Sequence, residues 1–472
     1  MSAARSSAAP QHPGSGTSAR RLTPCGCVVV FLVVVIVVPV VGWMAWSRGA
    51  ARAVEDELSK IREAGEPTSA SELNQFFALP NRNQDATQLW LDGLALIENS
   101  AFNDDSQELP IIGPGPDIPL PGQPWAQLEA SEEFLDKYGE AMAKFHQAAD
   151  IGGRARYEID FEKGFSGLLP MVNHQRTIAR LLALEANVRA HRGDAHGAAQ
   201  SVQALFAATR AQEAEPLLMS QLVRVAIDGM AVDQTQRLIS SVNLADDDLV
   251  MLQNELRSIR FHAGQTRALI GERAMGIETF RNPSKHGSNV RFRIFIGDTD
   301  LAFYLQTTRR WIAASREPFP AALDAAQKIK REFQSETQSP INQAHFALTA
   351  QLLPAFSASM QATARGDAGN LAMDAAIAVQ RFRKANGKLP QSLDELVPDY
   401  LPSVPLDPFD GQPLRYVIDE AGAFRVYSLG RNRTDEGGVL DDVRLDEVFS
   451  IKQPQRNAKT TDTPEPDRDS TP

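Results

Sequence analysis

Glu272, His174 and the segment carrying Arg154, Arg156 and Tyr157 are the residues whose types would serve acid–base or anion-binding chemistry in a cleft. Spacing does not join them into a motif. The eight histidines are scattered with no His-Glu-x-x-His, and His191 and His196, which flank a helical turn, read as a surface pair. Gly164-Phe165-Ser166-Gly167 falls one residue short of a nucleophile elbow and has no strand before it. In Gly113-Pro114-Gly115 proline removes an amide that a phosphate loop would need. Glu272 and Arg273 are adjacent, so on a helix they diverge and each must find another partner. Cys25 and Cys27 are the only cysteines; they enter an apolar run with no further ligand nearby, which reads as packing and leaves the rest of the chain without disulfides.

A second kind of chemistry is carried by oxygen-rich turns near the C-terminus. The helix exit RFRKANG (Arg381 to Gly387) is followed by Pro390, Leu393 and Leu396, then by Asp407-Pro408-Phe409-Asp410-Gly411, and then by Tyr427-Ser428-Leu429-Gly430 leading to Gly437-Gly438. In that order these residues resemble the globular head of the major pseudopilin of bacterial type II secretion, over roughly residues 370 to 445. The resemblance implies a small α+β unit, at residues 369 to 448, and a calcium loop after Ser-Leu-Gly. Carried onto this chain, the implied ligands are the Leu429 carbonyl, Asn432 where the family has aspartate, Asp435, and Asp441 with Asp442. A hard cation needs several oxygens at close range, and acids around a glycine-permitted turn can supply them. Asn432 withdraws one charge, and Arg431 and Arg433 repel a cation. The other reading of the same residues is a solvated acidic turn held by Gly437-Gly438 and local hydrogen bonds.

These groups must be positioned by the elements around them. Cys25 to Trp46 runs without a charge, long enough to span a bilayer as a helix, with Trp43 and Trp46 placed for an interfacial belt. Its bulky exit argues against cleavage, so the expectation is a single-pass signal anchor at residues 22 to 47. Lys/Arg flanks are nearly balanced; Arg20 and Arg21, immediately beside the span, favour an inside N-terminus and an extracytoplasmic, periplasmic body on the cytoplasmic membrane. Residues 1 to 20 and 453 to 472 have the composition of disordered tails.

Between them, residues 48 to 368 read as an irregular body of helical hairpins, so the fold class is mainly α with the small α+β unit at its end. Helices are expected over Arg48 to Ala64, Ser71 to Phe77, Asp85 to Asn99 and Ser131 to Ala149, with a proline-interrupted loop from Leu109 to Pro124 draped over the body. Gly193-Asp194 breaks an apolar face and sets an antiparallel helix pair resembling a tetratricopeptide hairpin, without a repeat at that family's period. Alternation from Val290 to Ile296 predicts a strand, and the last apolar helix carries Leu371, Ala375, Ala378 and Phe382 in phase. A hairpin is expected about Glu420-Ala421-Gly422.

A pilin-type precursor has a glutamate five residues into its mature helix, and Cys27-Val28-Val29-Val30-Phe31 after Gly26 lacks it. Residues 48 to 368 also separate the anchor from the pseudopilin-like end, so the chain is no simple pilin. The whole layout is similar to a broad group of uncharacterised bacterial single-pass membrane proteins, which supplies an architecture and no activity. With a net charge of -11 and no Lys/Arg block in the body, nucleic acid is not expected as a partner. The reading favoured is an envelope interaction or scaffold protein, associated with other envelope proteins and not an enzyme; the alternative is an enzyme of unknown reaction with a cleft in the helical body.

Overall fold

Most of the chain keeps its apolar residues three and four apart, and those stretches fold as helices. The computed structural model describes residue 35 and residues 37–77, 85–161, 169–281, 293–420, 422–438 and 447–451. By contact the chain divides into Met1–Ala53 and Val54–Pro472. In the first unit, Val38, Val41, Trp43, Met44 and Trp46 are exposed. Among the described residues no helix is long and apolar enough to cross a membrane; residues 25–34 and 36 of the uncharged run lie outside them.

Local signals set the first helices. Helix α1 (Val38–Glu63) ends before Gly65, whose φ of 68° suits the residue without a side chain. Helix α2 (Ala70–Phe76) is capped by Ser69, whose hydroxyl accepts from the Glu72 amide, so it starts one residue before the expected Ser71. Helix α3 (Thr87–Ile97) buries Trp90, Leu94 and Ile97, and the short α4 (Ser100–Asp105), absent from the sequence reading, is capped by Asn99. The single helix expected over Ser131 to Ala149 is two, α5 (Leu128–Lys137) and α6 (Gly139–Asp150). The break sits at Tyr138, which packs on Phe102 and Phe134 and donates to Asp105 at 2.8 Å. The proline loop holds no regular element and lies on the body: His191 Nε2 is 3.1 Å from the Pro119 carbonyl, and Arg237 donates to the Ile118 carbonyl at 2.8 Å.

The hairpin at Gly193-Asp194 joins α7 (Leu169–His191) to α8 (Ala195–Arg210), with Asp194 capping through the Gly197 amide. Helices α9 (Leu218–Ser241) and α10 (Asp246–Ser258) follow, the latter opened by three aspartates of which Asp248 reaches back to the Ala245 amide. Helix α11 is Phe261–Arg281 and α12 is Arg293–Ala314. The strand expected over Val290 to Ile296 is therefore wrong from Arg293 onward, and residues 290–292 lie outside the described part. Short alternation is ambiguous, and the buried row Leu301, Tyr304, Leu305, Trp311 and Ile312 commits the segment to a helix.

Helices α13 (Ala321–Glu336), α14 (Pro340–His345) and α15 (Ala347–Leu352) lead to α16 (Pro354–Asn386), a 33-residue helix that packs against α9, α10, α11 and α13. It ends at Gly387 in the left-handed conformation, φ 70°. A sheet of β1 (Arg415–Ile418), β2 (Phe424–Ser428) and β3 (Glu447–Ile451) follows, antiparallel in the order β1-β2-β3, with Tyr416 opposite Val426 and Val426 opposite Phe449. The β1–β2 hairpin is the expected one; β3 was not foreseen. Leu393, Leu396, Leu401, Leu414, Phe424 and Val426 join the same apolar core as α3 to α10 and α16, while Phe409 enters a second cluster with Trp311, Leu323, Phe356 and Met360. The C-terminal sheet is thus built into the helical body.

Close packing makes one glycine in α11 a sharp test. A Cβ on Gly271 would stand 1.7 Å from the Pro216 carbonyl oxygen, a backbone atom that cannot swing away. Gly271→Ala should lower the unfolding free energy by about 3 kcal/mol or more in urea titration.

Candidate functional site

The C-terminal turn organises the chemistry around it. Asp407, whose side chain is 0% exposed, accepts from the Phe409 amide at 2.9 Å, the Leu429 amide at 2.8 Å and the Ser428 hydroxyl at 2.8 Å. Arg415 donates to it at 3.1 Å and also pairs with Asp410. Gly411, at φ 73°, closes the turn by donating to the Asp407 carbonyl. A sequence Asp-Pro-x-x-Gly makes this possible because aspartate accepts from amides beyond the turn and glycine takes the left-handed position.

This frame places the implied calcium ligands. Leu429 is buried, with its amide spent on Asp407. Asn432 uses Oδ1 to accept from the Thr434 amide at 3.1 Å and donates to Glu436. Asp435 Oδ1 accepts from Tyr427 at 3.0 Å and from the Gly437 amide at 2.9 Å. Asp441 and Asp442 lie outside the described residues. Among the described residues no three His, Cys, Asp or Glu converge as a metal site.

Cations line the side of the loop that faces α13. A cavity of about 480 Å³ lies between α13, α16 and the loop, lined by Lys330, Arg331, Arg431 and Arg433, by Gln327, Gln361 and Asn432, and by an apolar floor that includes Met360 and Phe409. Arg433, at φ 55°, pairs with Asp324 at 2.7 Å and ties the loop to α13. A neighbouring cavity of about 290 Å³ shares Lys330, Gln334, Ser357 and Gln361 and adds Trp311, Phe333, Leu353 and Pro354. Helix α13 is amphipathic, burying Ala322, Leu323, Ala326 and Ile329, and folding brings Arg431 beside its Lys330 and Arg331.

On the other side of the turn, about 260 Å³ is enclosed by Arg257, Arg260, Phe319, Asp367, Asn370, Asp374 and the Leu406–Pro408 backbone. Arg257 donates to Asp374 at 2.7 Å and to the Tyr400 carbonyl at 2.9 Å. Asn370 is 3% exposed and its side chain meets the Asp228 carboxylate. Beneath it, burial raises the Asp228 carboxyl well above its ordinary range and lowers the fully buried Arg224, which stacks 4.7 Å over Phe261. This second cavity sets charged and amide side chains among apolar ones such as Leu256, Ile259 and Leu371.

The residues singled out for acid–base work are dispersed. His174 is 2.5 Å from Glu98 at the surface. Arg154 donates to Glu213, and Arg156 to the Phe77 and Asn74 carbonyls. Tyr157 is buried and accepts from Gln175. Glu272 accepts from the Leu218 amide at 3.3 Å, while Arg273 finds Glu66 at 2.6 Å, so the adjacent pair does diverge to separate partners. None of these residues lines the cavities beside the turn. No family model, no curated protein and no solved structure matches the chain.

Two measurements follow from these buried carboxylates. Asp407→Asn leaves a donor facing the Leu429 or Phe409 amide and removes a charge from Arg415, and should cost about 3 kcal/mol in chemical denaturation. Burial pushes Glu215 from an ordinary 4.5 up to about 7, and Glu272 likewise. With the folded value raised, the native chain keeps protons that the unfolded chain releases. Stability should therefore fall as pH rises from 4.5 and level off above about 7, by on the order of 3 kcal/mol for each group. Glu215→Gln should flatten that slope by one group's share; an unchanged slope would remove Glu215 from the account.

Proposed function

We propose that this chain is an interaction or scaffold protein of the bacterial cell envelope, held in the cytoplasmic membrane by one N-terminal helix, with an extracytoplasmic body that works beside a type II secretion or pilus-like assembly. The observation that carries the reading is the join at Gly387. There a 33-residue helix passes into a small antiparallel sheet that packs back onto it, the order of parts that a pseudopilin-like end requires. Around it stand the motif residues themselves: Leu393 and Leu396 buried, Asp407 closing its turn, and Ser428 and Leu429 hydrogen-bonded to that carboxylate. The uncharged Cys25 to Trp46 run supports the anchor, and the net charge of -11 supports protein partners over nucleic acid.

A second reading, an enzyme with a cleft in the helical body, gains one observation. Asn370, Arg260 and Asp367 line one cavity beside the turn. Among the described residues no nucleophile and base are joined there by a hydrogen bond, so the binding role stands ahead of it.

Protease added to spheroplasts should degrade the body and leave an anchored fragment, and the mature chain should begin before Cys25. A body protected in intact spheroplasts would overturn the orientation. Crosslinking in the membrane should capture envelope proteins; a chain that sediments alone after crosslinking would overturn the scaffold role.

A further inference from the structure

We infer that the groove between α13 and α16, closed at one end by the Leu429–Arg433 loop, binds an acidic segment of a partner protein that also carries an aromatic or large apolar anchor residue. This deepens the interaction reading above and rests on it.

Charge is the first support. Lys330, Arg331 and Arg431 line the larger cavity, and none has a carboxylate within salt-bridge distance among the described residues. Arg433 is already neutralised by Asp324, which stands outside the lining. Among the described residues every ionisable group in that lining is a cation, in a chain whose net charge is -11. Three unneutralised cations gathered beside one cavity repel each other, and carboxylates relieve that repulsion with charge-assisted hydrogen bonds. A guanidinium such as Arg431 offers the planar fork that carboxylates take in two bonds.

Continuity is the second support. The basic cavity opens along shared Lys330, Gln334, Ser357 and Gln361 into the apolar one beside Trp311, Phe333 and Leu353. An apolar side chain seated there would leave the following residues over the cations. The Gln334 and Gln361 amides stand at the junction, where a peptide backbone needs a donor and an acceptor at each residue. A phosphate or lipid headgroup would use the cations and leave the aromatic section unfilled, so the two chemistries side by side favour a peptide.

The loop's construction agrees. Arg433 holds a left-handed backbone that glycine would take without strain, and its side chain is what fixes the loop against Asp324 on α13. On the side that faces α13 the loop presents Arg431 and Arg433 to the groove.

The test uses the full chain in detergent micelles and a fluorescein-labelled peptide with one tryptophan beside a run of glutamates, followed by fluorescence anisotropy. Binding should weaken as salt rises, and the same peptide with glutamines should bind on the order of tenfold more weakly. Charge reversal at exposed positions, Lys330→Glu with Arg431→Glu, should weaken binding by a similar factor while leaving the circular dichroism unchanged. Phe333→Ala should weaken it several-fold without altering the salt slope. Equal affinity for both peptides, or indifference to the charge reversal, would overturn the proposal. Displacement of the peptide by inorganic phosphate or by phosphatidylglycerol vesicles at lower concentration than by unlabelled peptide would also overturn it, in favour of a phosphate site. Membrane crosslinking with the charge-reversed chain separates the two levels. Unchanged partners would sink the groove and spare the scaffold role, whereas no partner with the wild-type chain would sink the scaffold role itself.

Discussion

One buried carboxylate fixes the geometry on which both cavities depend. Asp407 gathers the amides of Phe409 and Leu429, the hydroxyl of Ser428 and the guanidinium of Arg415. A charge this deep is tolerable only when its lone pairs are filled, and here four donors fill them. The same bonds set two directions at once. Phe409 is pointed into the apolar cluster of α11, α12, α13 and α16, and the chain after Leu429 is held where Arg431 and Arg433 face α13.

Helix α16 is the element against which these groups are arranged. Asp374 on its flank receives Gln253 at 2.6 Å and Arg257 at 2.7 Å from α10, and Arg257 passes on to the Tyr400 carbonyl. Arg381, one turn from the helix end, pairs with Asp246 at 2.9 Å and stacks 5.4 Å over Tyr400. Desolvation of such bidentate, stacked arginines is offset by hydrogen bonds that also choose a register between helix and sheet. The C-terminal unit is therefore locked to the body by polar contacts at its edge and by shared leucines at its centre.

Electrostatic contrast gives the molecule its most specific surface. Several cations of this acidic chain are spent on neighbouring acids, among them Arg192 on Glu132, Arg210 on Glu255, Arg309 on Glu57 and Arg316 on Glu66. Lys330, Arg331 and Arg431 instead line one cavity beside an aromatic recess, where solvated surface pairs would add little stability and a group of unpaired cations adds none. The stability of the fold comes from apolar packing and does not require them.

Many local elements are legible in the chain itself: where helices start at Asp194 and Asp246, where they stop at Gly65 and Gly387, and the hairpin about Glu420 to Gly422. These depend on caps, glycine conformations and apolar periods within a few residues of one another, so the chain displays them directly. It also displayed that Glu272 and Arg273 would part. Tertiary structure decided the rest. Packing of Tyr138 split one expected helix, the buried face of α12 absorbed an expected strand, and β3 joined the sheet through pairing with residues distant in sequence. It decided the character of the C-terminal loop as well. Asn432 and Asp435 are spent on local hydrogen bonds, and α13 sets Lys330 and Arg331 beside Arg431. The physical reason is range: capping and turn preferences act across neighbouring peptide units, whereas the field around a loop is set by charges that only the folded chain brings within a Debye length.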